Sequence, residues 1–160
     1  VLDFEQAYAE HAEPLLRFVV YRTGDRALAE DIVADTFERV LRSRKRFDRR
    51  RASEKTWIYS IALNLVRDNA RREAVAQRAV TRDLAPQAAA PTANPLDAVG
   101  DRDLVQRALA TLAVEEREAI ALRYGADLTL PEIAALIKEP LSTAEGRVYR
   151  GLRKLRETLS

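Results

Sequence analysis

Apolar residues recur at helical spacing along most of this chain, and the N-terminal half shows no strand-like alternation. The clearest stretch is Thr56 to Arg72, TWIYSIALNLVRDNARR. There Trp57, Ile58, Ile61, Ala62, Leu65 and Val66 form one stripe, predicted to face a core. Ser60, Asn64, Arg67 and Arg71 fall on the opposite face, with amide and guanidinium donors one turn apart, a spacing that suits phosphates and base edges. A solvated amphipathic helix has the same pattern, so periodicity alone leaves both readings open. Leu63 falls on the polar face and is expected to meet DNA or a partner. Upstream, residues 2–22 read as helical through Phe4, Tyr8, Leu15, Leu16, Val19 and Val20, with Pro14 expected to break or restart the helix near Glu13. Gly24 is placed as its end and Asp25 as the N-cap of the next helix, residues 26–45, with Leu28, Ile32, Val33, Phe37, Val40 and Leu41 as its apolar face.

The pattern fades after the Trp57 helix. Residues 76–100 are rich in Ala and Pro, with little apolar area to bury, and read as a linker between two small helical domains, 1–75 and 101–160. The second domain opens with Leu104, Val105, Ala108, Leu109 and Leu112 on one helix, and a second runs from Glu115 to Tyr124, closed by Gly125. Thr129 and Glu132 form a capping box, with Leu128 stapled to Ile133. A turn at Lys138–Leu141 leads to a last helix from Ser142, with Val148, Leu152, Leu155 and Leu159 facing inwards. Two short helices joined this way describe a helix-turn-helix. The fold class is therefore all-α.

Composition narrows the chemistry. The chain has 160 residues, 47% of them apolar, and a net charge of only +2, so a nucleic-acid function must rest on local patches. One such patch is Arg42–Arg51, RSRKRFDRRR, with seven basic residues, one acid and one aromatic. Crowded guanidinium groups repel one another unless anions lie nearby, so a phosphate partner and a solvated loop are both readings of this run. Phe47 is either a core anchor, the favoured reading, or a base-stacking group. With no cysteine and the single histidine His11, read as a surface or boundary residue, disulfides are excluded and a zinc centre or thiol nucleophile is not expected. No Gly-rich phosphate loop or nucleophile pair occurs, so neither an enzyme, a cofactor nor a small-molecule substrate is expected. No apolar run reaches the length of a membrane span, and the acidic start is unlike a signal peptide, so a cytoplasmic protein without membrane insertion is the expectation.

Three stretches together resemble one family. Trp57, Ile58, Ile61, Ala62, Asn64, Asp68, Arg71 and Arg72 stand where extracytoplasmic function (ECF) sigma factors, of the sigma-70 family, carry their region 2 signature. Upstream, Ala29–Phe37, AEDIVADTF, resembles that family's polymerase-binding segment, with Ala34 in place of the usual glutamine. Downstream, Leu128, Glu132, Ile133, Ala134, Thr143, Arg147, Arg150, Gly151, Leu155 and Arg156 match region 4.

The resemblance implies a sigma factor without catalytic chemistry of its own, which binds core RNA polymerase through the β′ clamp helices and directs it to −35 and −10 promoter elements. It implies Glu30, Asp31, Asp35, Phe37 and Glu38 as the polymerase contacts. It implies Arg46, Arg49, Arg50, Arg51, Lys55, Ser60, Asn64, Arg67 and Arg71 for −10 DNA, and Ser142, Thr143, Glu145, Arg147, Arg150 and Lys154 for −35 DNA. An anti-sigma factor is a further implied partner. The alternative is a sigma-like mimic that sequesters an anti-sigma factor without promoter-specific initiation. It is motivated by departures in region 4: Lys138 replaces a turn glycine and is strained if φ is positive there, and Glu145 replaces a lysine. Three readings of Glu145 stay open: repulsion of the DNA backbone, a capping box with Ser142, or acceptance of a hydrogen bond from a cytosine amino group.

Overall fold

The computed structural model describes residues 2–83 and 101–160. Seven α-helices occur among the described residues, and no strands. The N-terminal half is α1 (Phe4–Thr23), α2 (Arg26–Ser43) and α3 (Glu54–Asp83). The C-terminal half is α4 (Asp101–Ala110), α5 (Val114–Ile120), α6 (Leu130–Ile137) and α7 (Leu141–Leu159), with one π-helical turn, Ala121–Gly125, continuing α5.

Local chemistry sets most helix ends. Asp3 caps α1 by accepting from the Gln6 N–H, and Asp25 caps α2 by accepting from the Leu28 N–H at 3.0 Å. Gly24 closes α1 in the left-handed region at φ 72°, its N–H donating to Val20 O. Ser53 Oγ accepts from the Thr56 N–H at 3.0 Å and starts α3. The Thr129–Glu132 capping box forms in full at the start of α6. Lys138, where a glycine would be at ease, closes α6 at φ 59°.

Several expectations are corrected. α1 runs straight through Pro14, held in place by the burial of His11, Leu15, Phe18 and Val19 on either side. α3 continues to Asp83, so the first part of the expected linker is helical, and residues 84–100 lie outside the described residues. α7 begins at Leu141 with Pro140 as its N-cap and no side-chain cap bond, so the Ser142–Glu145 capping box does not form. Gly125 ends a π turn without a positive φ; its role is close packing, because a Cβ there would lie 3.1 Å from the Phe18 Cα. His11 is buried, its Nε2 3.9 Å from Glu54 and 4.0 Å from Glu10. Leu41 is exposed, outside the expected apolar face of α2.

The two halves pack on each other. One apolar cluster holds Leu15, Phe18, Ile58, Tyr59 and Leu63 from the first half with Leu122, Leu128, Ile133 and Leu136 from the second. Leu63 is thus buried on what the sequence reads as the polar face of α3, because α3 packs against α1 and α2 and also against α6. A smaller cluster of Leu109, Leu112, Ala119, Ile120 and Val148 seats α7 on α5. There Gly151 is required, since a Cβ would lie 2.6 Å from Ile120. Burial pushes the Tyr59 phenol well up from its ordinary pKa.

Candidate nucleic-acid interface

Between α2 and α3 lies a cleft of about 500 Å³, lined by Arg39, Arg42, Ser43, Arg46, Trp57, Ile61 and Asn64. The helical repeat builds it. Positions 39, 42 and 46 share one face of α2 and the turn beyond it, and positions 57, 61 and 64 share one face of α3. Its chemistry is mixed in a particular way. Cationic groups sit at the rim, an indole and an aliphatic side chain form an apolar wall, and an exposed Asn64 amide offers both a donor and an acceptor. That combination suits an unstacked nucleotide: phosphate to guanidinium, base to ring, base edge to amide.

Electrostatics favour the same partner. Among the described residues, Arg39, Arg44, Lys45, Arg46, Arg49 and Arg50 have no carboxylate within ion-pair distance. Arg42 pairs with Glu38, and Arg51 reaches Asp48 at 4.0 Å. Asp48 also accepts from the Arg50 N–H at 2.9 Å, which orders the tight turn displaying the basic run. Phe47 stacks obliquely on Trp57, ring centroids 5.2 Å apart, and is half-buried against the core, in agreement with its anchor reading. Trp57 and Ile61 are half-buried and serve both core and cleft.

The other expected −10 residues divide. Arg46 and Asn64 are exposed and line the cleft, and Arg49, Arg50 and Arg51 are exposed on the connection from α2 to α3. Ser60 donates its hydroxyl to Trp57 O at 2.6 Å and is half-buried. Arg71 is exposed and paired with Asp68. Arg67 turns away to the C-terminal half, where Glu118 accepts from its Nη2 at 2.6 Å and from its Nε at 3.3 Å. The hydrogen bond to Glu118 raises the Arg67 pKa. Lys55 lies 3.4 Å from Glu132 of α6. Arg39, Trp57 and Ile61 belong to the cleft but not to the residues expected there from sequence; the i, i+3, i+7 spacing of Arg39, Arg42 and Arg46 was the available signal.

On the outer side of α2, Asp31 and Asp35 are exposed, Glu30 pairs with Arg26 at 3.3 Å, and Glu38 pairs with Arg42. Phe37 is buried, its ring 4.9 Å from that of Tyr8 and 6.2 Å from that of Phe4. Its place on the surface is taken by Tyr8, with Leu41 as a second exposed apolar group.

The last helix offers a different face. Ser142, Glu145, Tyr149 and Arg153 are exposed at i, i+3, i+7 and i+11. Tyr149, 65% exposed, was not singled out by sequence. Arg150 and Lys154 point to α5, where buried Glu116 lies 3.5 Å and 2.7 Å away. The hydrogen bond from Lys154, with help from Arg150, holds the Glu116 carboxyl below its ordinary pKa. Thr143 and Arg147 are half-buried, and a shallow apolar groove of about 560 Å³ runs beside α7 past Leu130, Gly146, Tyr149 and Leu152.

Comparison with known proteins places both halves. The sigma-70 region 2 family matches residues 7–75, and the sigma-70 region 4 family matches residues 102–155. The chain is 32% identical over 162 residues to the RNA polymerase sigma factor CarQ of Myxococcus xanthus, covering 98% of this chain and 88% of that one. It is 29% identical over 152 residues to the ECF RNA polymerase sigma factor SigL of Mycobacterium tuberculosis, covering 95% and 86%. Its fold is similar to that of the sigma factor RpoE crystallised with the anti-sigma factor NepR from Bartonella quintana, at a TM-score of 0.79 and 24% identity, covering 99% of this chain and 98% of that one.

Proposed function

We propose how this chain works from one premise: it belongs to the sigma-70 family and is an ECF-type sigma factor, a subunit that directs RNA polymerase to promoters. In our reading residues 1–75 hold core polymerase and the −10 element, and residues 101–160 hold the −35 element. The acidic outer edge of α2, with Asp31, Asp35 and the neighbouring Tyr8 and Leu41, docks on the basic β′ clamp helices. The displaced −10 strand enters the cleft between α2 and α3. Arg39 and Arg46 take phosphates, Trp57 stacks a base and Asn64 reads its edge. The exposed stripe Ser142, Glu145, Tyr149 and Arg153 faces the −35 duplex.

The observation that carries the reading is the cleft itself, which gathers unpaired arginines, an aromatic wall and an amide from two helices. A mimic that only sequesters an anti-sigma factor has no use for such a site. We assign the chain no catalysis of its own. We place it in the cytoplasm with the polymerase, in line with the absence of any helix long and apolar enough to cross a membrane among the described residues. An anti-sigma factor completes the proposed partners.

Reconstitution with bacterial core polymerase and selection of transcribed promoters from a random library tests this. Shared −35 and −10 elements upstream of discrete start sites are expected. Binding to core with no promoter-specific start would contradict it.

A further inference from the structure

One buried polar side chain has no part in the promoter reading. His11 of α1 is the only histidine of the chain, and its side chain is 8% exposed. Its ring nitrogens make no hydrogen bond among the described residues. Nε2 faces two carboxylates instead, Glu54 of α3 at 3.9 Å and Glu10 of α1 at 4.0 Å, both beyond hydrogen-bond reach. Ligand atoms of all three residues lie within 4.8 Å of one another. A polar ring this buried and left without a hydrogen bond points to a bound water or ion between it and the carboxylates.

The donor set selects an ion, and a particular class of ion. One imidazole nitrogen and two carboxylate oxygens suit zinc and its neighbours in the first transition series, whereas magnesium and calcium prefer oxygen throughout. Two carboxylates balance a divalent charge, and three protein ligands leave a fourth tetrahedral position for water. Metal–ligand bonds of about 2.0–2.2 Å place neighbouring ligand atoms about 3.3 Å apart in a tetrahedron. The separations from His11 exceed that by roughly 0.6–0.7 Å. Closing that gap needs only side-chain rotation, since Glu10 is exposed and Glu54 is partly exposed. Neither carboxylate has another ion pair among the described residues to give up.

We propose that His11, Glu10 and Glu54 form a binding site for a divalent transition-metal ion of the zinc class, which ties α1 to the first turn of α3. Glu10 and His11 stand in the middle of α1, and Glu54 opens α3 at the end of the basic connection from α2. Trp57 follows Glu54 by one turn. The ion therefore pins the point where that connection enters α3. The site lies within the N-terminal half alone and holds whichever partner occupies the cleft.

The test uses the full chain, free of any tag and stripped of metal, with zinc chloride as the probe and magnesium chloride as the comparison. Because His11 is the only histidine, the imidazole proton signals in the NMR spectrum are its own. One equivalent of zinc is expected to shift them, and calorimetry to give one site per chain. Free zinc at a hundredfold excess over Kd should raise Tm by about 5–10 °C, and magnesium should not. Glu54→Gln and Glu10→Ala leave the ring in place and should each weaken zinc binding at least about tenfold, the loss that even an outer-shell partner of a metal brings. His11→Gln should abolish the site. Circular dichroism without metal shows whether each variant folds, and the two carboxylate variants, at less buried positions, guard against a His11→Gln chain that does not. Imidazole signals unmoved by zinc in wild type would overturn the proposal and leave His11 a plain ion-pairing side chain. Equal zinc binding by wild type and the folded variants would overturn it by placing the ion elsewhere, and an equal response to magnesium would overturn the zinc-class assignment.

Discussion

The two surfaces offered to promoter DNA differ both in how many basic residues they carry and in how much of that charge the fold leaves free. Around the α2–α3 cleft, Arg39, Arg44, Lys45, Arg46, Arg49 and Arg50 have no ion-pair partner among the described residues. On α7, Arg150 and Lys154 are drawn back to Glu116, and the exposed stripe presents Glu145 and Tyr149 with Arg153 as its one cation. A basic residue contributes to DNA affinity only if the fold leaves its charge unspent, because each neutralised phosphate contributes through counterion release. Most of the electrostatic affinity therefore falls to the cleft, and α7 is left to discriminate by shape and base edges.

That contrast can be broken most forcefully at the cleft. Arg39→Glu/Arg46→Glu should weaken promoter complex formation about a hundredfold and flatten its log–log salt dependence by about 1.4, the share of two phosphates on a single strand. The neutral pair Arg150→Gln/Lys154→Gln should cost at most about threefold in the same filter-binding assay, since these charges are already neutralised within the protein.

The α7 side is sharpened by adding charge where it is missing. Glu145→Lys removes an exposed acid and restores a cation, so −35 duplex binding should tighten about tenfold and its salt slope steepen by about 0.9. If Glu145 instead accepts from a cytosine amino group, the variant should lose preference at one base pair in a binding selection.

The third effect concerns stability. Glu116 has a folded pKa below its unfolded value near 4.3, so its contribution is complete above that value and is lost as pH falls through the folded pKa. Glu116→Gln should lower stability at pH 7 by about 1 kcal/mol, a figure discounted for the half-exposed Lys154 and Arg150. In melts from pH 7 to pH 3 the gap between wild type and variant should close. The smallest effect is at Lys138, where φ is 59°; Lys138→Gly should gain up to about 1 kcal/mol in denaturant unfolding by relieving left-handed strain.

What the sequence made legible was local. The Asp25 and Thr129–Glu132 caps and the stop at Gly24 depend on residues a few positions apart, and all form. What it did not show depends on residues far apart in the chain. Leu63 reads as polar-face until α6 covers α3, and Arg67 reads as free until Glu118, 51 positions away, reaches it. Gly125 reads as a helix stop, yet its small size is used against α1. The cleft was half legible. Its basic run, with Arg42, and Asn64 were identified, but Arg39 entered only once α2 was laid against α3, and Phe37 proved to lie beneath Tyr8. The pairing of Arg150 and Lys154 with Glu116 likewise needed the α5–α7 packing fixed by Gly151.

The most direct test uses the cysteine-free background. A single Arg42→Cys variant carries a photo-crosslinker inside the cleft, and a single Tyr149→Cys variant carries it on α7. Each is assembled with core polymerase on a selected promoter and irradiated. The position 42 probe is expected to attach to the non-template strand of the −10 element and the position 149 probe to the −35 duplex. Attachment of the position 42 probe to polymerase alone, or to −35 DNA, would contradict the assignment of the α2–α3 cleft to the opened strand.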